Sequence, residues 1–367
     1  MSTFFITTSY GDLSISKYFR ALAEELARRG HCVVVIVAGQ RHDVVNRESN
    51  PAFLTWPSPR PTGWRDAAFL YSLIREHRPD CIIGNFGAVN LCVLVGKLCG
   101  VPHRIAWYHS ITRALDTDNT AHGWKRALRK LRKRWVYKFA TGIIANSVAA
   151  ARDAQAVYGV PAAKCRALPY LIPDPALQNH GELSNKVICV GRLNESKGQE
   201  TLIRAAKRIR EALPNVLIEF VGDGPERRRY ESLAASLGVG DCCQFIGALP
   251  LSDVLPRVSF AAVSVTASRN EALGLANVEA HAVGTPVVAS AVDGITEVVL
   301  DGVTGFLARP GDPEDFAEKI IRLLTNAGMR KEFGHRAREH FLATFCNKNI
   351  ARHADLIEQI AKDGGSN

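Results

Sequence analysis

The 367-residue sequence lacks the long apolar run that would be needed to cross a bilayer. The nearest candidate, Phe86 to Val101, is interrupted by Asn90 and Lys97, which favours a buried helix. The first six residues have neither the basic start nor the long apolar core of a signal peptide. We therefore expect a cytosolic protein.

Metal-binding and redox cysteine pairs are also missing. None of the nine cysteines is spaced as Cys-x-x-Cys, which argues against a zinc ribbon or a redox pair. Five of them, Cys32, Cys81, Cys92, Cys99 and Cys189, lie in apolar runs. We interpret these five as buried, reduced thiols, which fits a cytosolic location.

Acidic residues are absent from Trp124–Lys138, which carries eight basic residues. Because the whole chain has a net charge of +10, the remainder is near +2 (10 − 8). Apolar side chains recur in this region at helical spacing on one face: Trp124, Leu128, Leu131, Trp135 and Phe139. Such a helix suits an anionic membrane surface. Alternatively, the apolar stripe faces the protein core, and the basic face is solvated or attracts a pyrophosphate-bearing acceptor. Nucleic acid is disfavoured because no recognition fold is visible.

Short apolar runs alternate with helical patterns along most of the chain, which indicates parallel, doubly wound α/β domains. The run 168–185 is rich in proline and polar residues and has no period, so we interpret it as a linker. This organisation predicts an N-terminal domain over 1–172 and a C-terminal domain over 173–345. A last helix within 346–367 is expected to cross back to the N-terminal domain.

Two stretches of the C-terminal half suggest anion binding at the ends of strands, where open α/β sheets bind ligands. In Gly191–Gly198, Arg192 and Lys197 flank a turn between a strand and a helix, which would suit a phosphate. Two solvated surface cations are the alternative. In Gly222–Pro225, the glycines allow close backbone approach, but G-x-G-x-x-G is not present, so a nicotinamide site is disfavoured.

A third stretch carries two carboxylates, Glu271 and Glu279, separated by seven residues. A helix is predicted to begin near Gly274 or Leu275, which leaves backbone N–H groups unpaired between the two glutamates. N–H donors for a diphosphate and carboxylates for hydroxyl groups suit a sugar nucleotide. Alternatively, Glu271 caps the helix and Glu279 is a surface residue.

Together these motifs resemble the retaining glycosyltransferases of family four. The matching patterns are G-R-L-x-x-x-K-G at Gly191–Gly198, G-x-G-P at Gly222–Pro225, F-x-G at Phe245–Gly247, and E-x(7)-E at Glu271 and Glu279 with the residues to Val288. The resemblance implies the GT-B fold, in which two Rossmann-like, doubly wound domains face each other across a cleft. It covers nearly all of the C-terminal half and is looser in the N-terminal half.

The resemblance also implies site residues. Arg192 and Lys197 would bind the donor diphosphate, and Glu279 the ribose. Glu271 would bind hydroxyls of the transferred sugar, with help from the backbone of Ala272, Leu273, Gly274 and Leu275. Gly222 and Ile246 would lie along the nucleotide, the latter at the base, and His109 would lie near the donor sugar. An ordinary packed histidine is the alternative for His109.

Some residues depart from the family pattern. The N-terminal loop beside the diphosphate has only Gly11, followed by Asp12, in place of paired glycines. His281 occupies a position that is often apolar, and we expect it to pack. Asp116-Thr117-Asp118 fits a D-x-D metal motif of another fold, but we place it away from the diphosphate site and expect no metal, since Arg192 and Lys197 could offset the leaving group's charge.

The resemblance therefore predicts an enzyme without a cofactor, a retaining hexosyltransferase. Its donor is expected to be a UDP-hexose, first UDP-glucose, and its acceptor a saccharide or lipid-linked saccharide in bacterial surface or exopolysaccharide biosynthesis. The alternatives are a UDP-GlcNAc 2-epimerase-like enzyme and a non-catalytic nucleotide-binding scaffold. Contact of residues 124–139 with the inner face of the plasma membrane stays open.

Overall fold

The computed structural model describes residues 1–9, 14–38, 48–118, 123–180 and 185–363. The chain forms two compact units. Unit 1 consists of Met1–His109, Ala121–Pro173 and Asn347–Asn367, and unit 2 of Ser110–Thr120 and Asp174–Cys346. Each unit is built on one parallel β sheet, which confirms the prediction of two Rossmann-like α/β domains.

Unit 1 has a seven-stranded sheet in the order β3-β2-β1-β4-β5-β6-β7. Its strands are β1 (Thr3–Ser9), β2 (Cys32–Ala38), β3 (Ala52–Thr55), β4 (Cys81–Gly84), β5 (His103–Tyr108), β6 (Gly142–Ala145) and β7 (Cys165–Ala167). The strand order reverses between β1 and β4, which makes the carboxyl ends of these two strands the topological switch point.

The helices of unit 1 cover both faces of this sheet. They are α1 (Ser14–Arg28), α2 (Trp64–His77), α3 (Val89–Leu98), α5 (Gly123–Phe139), α6 (Val148–Tyr158) and α13 (Ile350–Asp363), while α4 (Thr112–Thr117) belongs to unit 2. The C-terminal helix α13 packs on α1. Tyr18 and His353 share a 2.9 Å hydrogen bond there, and Arg29 pairs with Asp355 at 2.6 Å.

Unit 2 has a six-stranded sheet in the order β10-β9-β8-β11-β12-β13. Its strands are β8 (Lys186–Val190), β9 (Leu217–Val221), β10 (Cys243–Gly247), β11 (Val263–Thr266), β12 (Val287–Ser290) and β13 (Gly305–Ala308). Its other helices are α7 (Gln199–Ala212), α8 (Arg227–Ser236), α9 (Leu251–Ser259), α10 (Leu275–Ala282), α11 (Pro313–Leu324) and α12 (Ala327–Thr344). The order reverses between β8 and β11, so the switch point lies at their carboxyl ends.

The segment Ser110–Thr120 differs from the domain boundaries that the sequence predicts. It precedes residue 172 but groups with unit 2. The reason is local, because α4 contacts the turn that follows β8 and the Asp118 carboxylate accepts hydrogen bonds from that turn. The other boundaries, at 173/174 and 346/347, lie one residue from the predicted ones.

Across the described ranges, every helix is too short or too polar to traverse a bilayer. All nine cysteines are free thiols. Burial raises the pKa of Cys92 and of Cys189 to about 12, so both stay protonated at neutral pH.

Candidate active site

Three of the residues singled out in the C-terminal half, Arg192, Lys197 and Glu271, lie on loops at the switch point of unit 2. The loop after β8 carries Arg192 and Lys197, and the loop after β11 carries Glu271. Parallel strands place their carboxyl ends at one edge of the sheet, so loops distant in sequence meet there. The Lys197 ammonium forms an ion pair with the Glu271 carboxylate, which joins the two loops.

Glycine permits the close approach of the loops after β8 and β9. The backbone at Gly222 has φ 141°, and a Cβ there would overlap the Gly191 carbonyl oxygen. Gly222 N–H donates to the Gly247 carbonyl at 2.8 Å, and Leu193 N–H donates to the Asp223 carbonyl at 3.1 Å. Gly222 is therefore required for the contact between neighbouring loops of this edge, and its predicted approach to a ligand stays a prediction.

Arg192 is exposed at this edge, and its backbone carbonyl accepts a 2.9 Å hydrogen bond from Gln199 Nε2. Within the described ranges, its guanidinium has no carboxylate partner. Lys197 is half-buried and paired with Glu271. Arg192 is therefore open to an incoming anion, whereas Lys197 is held beside a carboxylate.

The Glu271 carboxylate also accepts a 3.3 Å hydrogen bond from Ser268 Oγ. It does not cap α10, since the N-cap residue is Gly274, with φ 84° and no side-chain cap. The alternative of a capping Glu271 is therefore wrong. A residue with a Cβ would be strained at this φ and would collide with Asn277 Nδ2 at 2.8 Å.

Backbone donors lie between the two glutamates, as the spacing predicts. The N–H groups of Ala272, Leu273 and Gly274 have no acceptor among the residues that the structure describes. Ala272 and Leu273 are buried. Leu275 begins α10, and Glu279 follows just beyond its first turn, half-buried. Ile246 is half-buried near the end of β10. Unpaired N–H groups at a helix N-terminus form an anion site.

His109 belongs to unit 1 and directly follows β5. The Phe86 ring stacks on its imidazole, with ring centres 4.3 Å apart and planes inclined by 3°. The centre of the Tyr170 ring lies 5.9 Å from that of the imidazole, with planes inclined by 13°. Nδ1 shares a hydrogen bond with the Tyr170 hydroxyl, and Nε2 is buried without a partner in the described part of the chain. Burial, aided by the Lys133 charge, lowers the His109 pKa to about 3, so the ring is neutral at pH 7.

The sequence did not single out Phe86 or Tyr170. Phe86 lies two residues after β4, at the switch point of unit 1, with φ 51°, and the residue is 42% exposed. A phenylalanine in the left-handed region is strained, and such strain often marks functional sites. The sequence could have pointed to Phe86 only through its position just after a buried strand. Gly11 and Asp12, expected at the same edge, lie outside the described residues.

The structure also corrects the expectation for Asp118. The Asp116-Thr117-Asp118 motif was expected away from the diphosphate site, but this expectation is wrong. The Asp118 carboxylate accepts from Asn194 Nδ2 at 2.8 Å, from Ser196 N–H at 3.1 Å and from Ser196 Oγ at 2.8 Å. Asp118 thereby holds the turn that carries Arg192 and Lys197.

His281 packs as expected. Its side chain is fully buried, and its ring meets His340 edge to face at 6.1 Å. Burial lowers its pKa to about 3.

Two family models match consecutive parts of the chain. Residues 15–170 match a glycosyl transferase 4-like domain, and residues 175–340 match glycosyl transferases group 1. Among curated relatives, a D-inositol 3-phosphate glycosyltransferase of Kribbella flavida is 38% identical over 160 residues, which are 41% of this chain and 38% of the relative. The putative glycosyltransferase EpsD of Bacillus subtilis is 31% identical over 181 residues, 49% and 47% of the two chains. The chain thus aligns with less than half of each of these relatives.

Solved structures match over nearly the whole chain. Sucrose-phosphate synthase of Thermosynechococcus elongatus has a TM-score of 0.80 and 23% identity and covers 98% of this chain and 99% of its own. Anabaena HepE, solved in complex with UDP and glucose, has a TM-score of 0.75 and 19% identity and covers 99% and 100%. At these identities the likeness establishes the fold, which is that of the GT-B proteins.

Proposed function

This chain belongs to the group 1 glycosyltransferases, and on that premise we propose that it is a retaining hexosyltransferase using a UDP-hexose, first UDP-glucose. The proposed acceptor is a saccharide or lipid-linked saccharide of bacterial surface polysaccharide biosynthesis. The relatives include EpsD and a lipopolysaccharide core biosynthesis glycosyltransferase of Rhizobium meliloti, which support this class of acceptor.

One observation carries the proposal. At the switch point of unit 2, the Lys197–Glu271 pair lies next to the unpaired N–H groups of residues 272–274. Cations and N–H donors suit a diphosphate, and carboxylates suit sugar hydroxyls, since hydrogen bonds to charged groups contribute roughly 1.5–3 kcal/mol. In this proposal Glu271 binds the transferred sugar, Glu279 binds the ribose, and Arg192 binds the diphosphate.

The chemistry we propose consists of positioning and leaving-group stabilisation. The bond from the anomeric carbon to the β-phosphate oxygen breaks, and a bond from the acceptor oxygen forms on the same face. The acceptor proton passes to the departing phosphate oxygen. Lys197, Arg192 and the N-terminus of α10 would offset the charge that develops there, so the step needs neither a metal nor an enzyme nucleophile.

Nucleotide binding tests the proposal first. UDP, GDP and ADP sugars should be screened by thermal shift, with stabilisation expected from a UDP-hexose. Replacing Glu279 by glutamine should weaken UDP affinity about tenfold or more, since one charged hydrogen bond is lost. Glu318→Gln, an exposed glutamate on α11, is the matched control. If no nucleotide sugar stabilises the protein, the transferase proposal is wrong.

Turnover tests it second. The expected product is a glycosylated acceptor that keeps the donor's anomeric configuration, which NMR of the product reports. His109→Gln should lower kcat more than it changes UDP affinity. An epimerised UDP-sugar formed without an acceptor would instead favour a 2-epimerase, and binding without any turnover would favour a scaffold.

We also propose that α5 contacts an anionic membrane. Its apolar stripe is exposed, at 66% for Trp124, 59% for Leu128, 52% for Leu131 and 55% for Trp135, so the alternative of a stripe facing the core is wrong. The buried side chains of this helix are Val136 and Tyr137. Sedimentation with anionic vesicles at low salt should show binding, and its absence would end this part of the proposal.

A further inference from the structure

A pocket of about 460 Å³ lies beside the C-terminal end of α5 in unit 1. Trp135, Tyr158 and Val160 form its apolar part. Three cationic side chains, Arg134, Lys138 and Lys164, also line it, and its lining includes no acidic residue. A ligand that fits this combination has an anionic group and an apolar part.

The cations are available for such a ligand. In the described ranges none of the three has a carboxylate partner, and Lys138 Nζ lies 5.2 Å from the centre of the Trp135 ring. The Arg134 guanidinium lies over Gly159, where a Cβ would be 3.7 Å from its Nε. Unpaired cations at an apolar wall attract phosphate, which arginine binds through two parallel hydrogen bonds.

The three cations of the pocket lie on elements near the amino ends of β6 and β7, and the Tyr158 ring, which also lines it, lies 6.0 Å from the ring of Tyr108, the last residue of β5. Helix α5 ends at Phe139, just before β6 begins, and Lys164 directly precedes β7. His109 instead follows the carboxyl end of β5.

Trp135 connects the pocket to the exposed stripe of α5, because it lines the pocket and belongs to the stripe. The 17 residues of α5 extend the stripe over about 25 Å. A helix lying in a membrane interface places its tryptophans at the level of the headgroups. A phosphate next to Trp135 would thus be a lipid phosphate.

We propose that this pocket binds the phosphate headgroup of an anionic phospholipid and fixes α5 on the membrane surface. The inference rests on the membrane contact proposed above and adds a defined site to it. Arg134, Lys138 and Lys164 bind the phosphate, while Trp135, Tyr158 and Val160 contact the glycerol and the upper acyl chains.

A matched pair of double variants of the full chain tests the site. R134Q/K138Q removes two pocket cations, and K125Q/R132Q removes two exposed cations of the same helix outside the pocket. The match extends to the tryptophans, since Lys125 lies over Trp124 as Lys138 lies over Trp135, at 5.4 and 5.2 Å. Both variants lose the same charge, so diffuse attraction to the surface falls equally.

Binding is measured with phosphatidylcholine vesicles that contain phosphatidylglycerol. We expect R134Q/K138Q to lose about tenfold more affinity than K125Q/R132Q, because it also loses charged hydrogen bonds to the headgroup. Equal losses would show that α5 binds by diffuse charge alone and would overturn the pocket. Donor binding by both variants should equal that of the wild type, so failure here is distinguishable from failure of the transferase proposal.

A second measurement separates lipid from free anion. Monomeric short-chain phosphatidylglycerol should bind the wild-type protein and lose affinity in R134Q/K138Q, whereas inorganic phosphate should not compete with it at equal concentration. Equal binding of inorganic phosphate would identify a free-anion site and overturn the lipid assignment. Wild-type protein that ignores anionic vesicles altogether would overturn both this site and the membrane contact.

Discussion

Lys197 and Glu271 neutralise each other at the edge where a diphosphate is proposed to bind. A carboxylate at this position competes with the diphosphate for Lys197 and repels it. It favours the complete donor only through hydroxyls of the transferred sugar. The loss of this carboxylate should therefore favour UDP over UDP-glucose.

We predict that Glu271→Gln tightens UDP binding several-fold and weakens UDP-glucose relative to UDP, as isothermal titration would show. Lys197→Gln should weaken both ligands. Glu195→Gln is the control, because Glu195 lies on the turn that carries Lys197 and pairs with Arg269 at 3.2 Å. This substitution removes the same charge as Glu271→Gln. Tighter UDP binding in both glutamate variants would show that the effect comes from the loss of any negative charge near the site. Weaker UDP binding in Glu271→Gln would contradict the prediction.

Phe86 covers one face of the His109 imidazole, and burial keeps the pKa of His109 low. Phe86→Ala should let water reach the ring and raise the His109 pKa toward its usual range, which NMR titration of the imidazole protons would detect. Phe86→Gly should do the same and be about 1 kcal/mol more stable than Phe86→Ala, because alanine is strained at φ 51°. An unchanged His109 pKa in both variants would assign its burial to Tyr170 and the surrounding chain.

Single residues could be predicted from the sequence where a spacing carries chemistry. Arg192, Lys197 and Glu271 each follow a buried strand, and the switch-point rule brings such positions together. Tyr170 had no such signal, since it lies 61 residues from His109 in the stretch interpreted as a linker. Contacts between distant residues of ordinary aromatic type depend on the tertiary fold, and no local pattern encodes them.

At the scale of elements, the turn 195–197 after β8 is held by the carboxylate of Asp118, the residue that follows α4. Ser196 is buried, and Asp118 is the acceptor for both its N–H and its hydroxyl. Asp118→Ala should lower the free energy of unfolding of unit 2 by about 1–3 kcal/mol, the cost of leaving a buried donor unpaired. It should also weaken UDP binding, because the turn carries Lys197.

Urea denaturation and UDP titration check this prediction together. Asp118→Asn keeps an acceptor oxygen and should recover part of both losses. If Asp118→Ala leaves UDP affinity and stability at wild-type values, α4 has no part in holding the turn.

Most strands were predictable from the sequence, whereas the two edge strands of unit 1 were not. The strands β2 and β8 are almost wholly apolar, as expected for parallel strands covered on both faces. The edge strands β3 and β7 have four and three residues and too little apolar sequence to stand out. The orientation of α5 was equally undetermined, because an apolar stripe is the same whether protein or lipid covers it.

At the scale of the whole molecule, buried histidines occur in both units. Burial lowers the pKa of His281 to about 3 and that of His353 to about 4, against about 6.5 in the unfolded chain. Below pH 6.5 the unfolded state therefore binds protons that the folded state does not. Stability is full above pH 6.5 and is lost as the pH falls toward these lowered values.

We predict that His281→Leu flattens the acid side of the stability curve by about 1.4 kcal/mol per pH unit between pH 6 and 4, the contribution of one proton. Neither ring nitrogen of His281 has a partner among the described residues, so leucine leaves no new unsatisfied group. Urea denaturation of unit 2 at several pH values measures the slope. His335→Leu, on an exposed part of α12, should leave it unchanged, and equal slopes in all three proteins would contradict the prediction.

The grouping of Ser110–Thr120 with unit 2 determines how the protein can be divided experimentally. The chain passes from one unit to the other at 109/110, 120/121, 173/174 and 346/347. Expressing residues 1–173 alone would separate Asp118 from Ser196 and would remove α13 from α1. Expressing 174–346 alone would leave the turn after β8 without its acceptor. Neither fragment reproduces a complete unit, so gene fusions and domain exchanges with relatives should keep all four crossings.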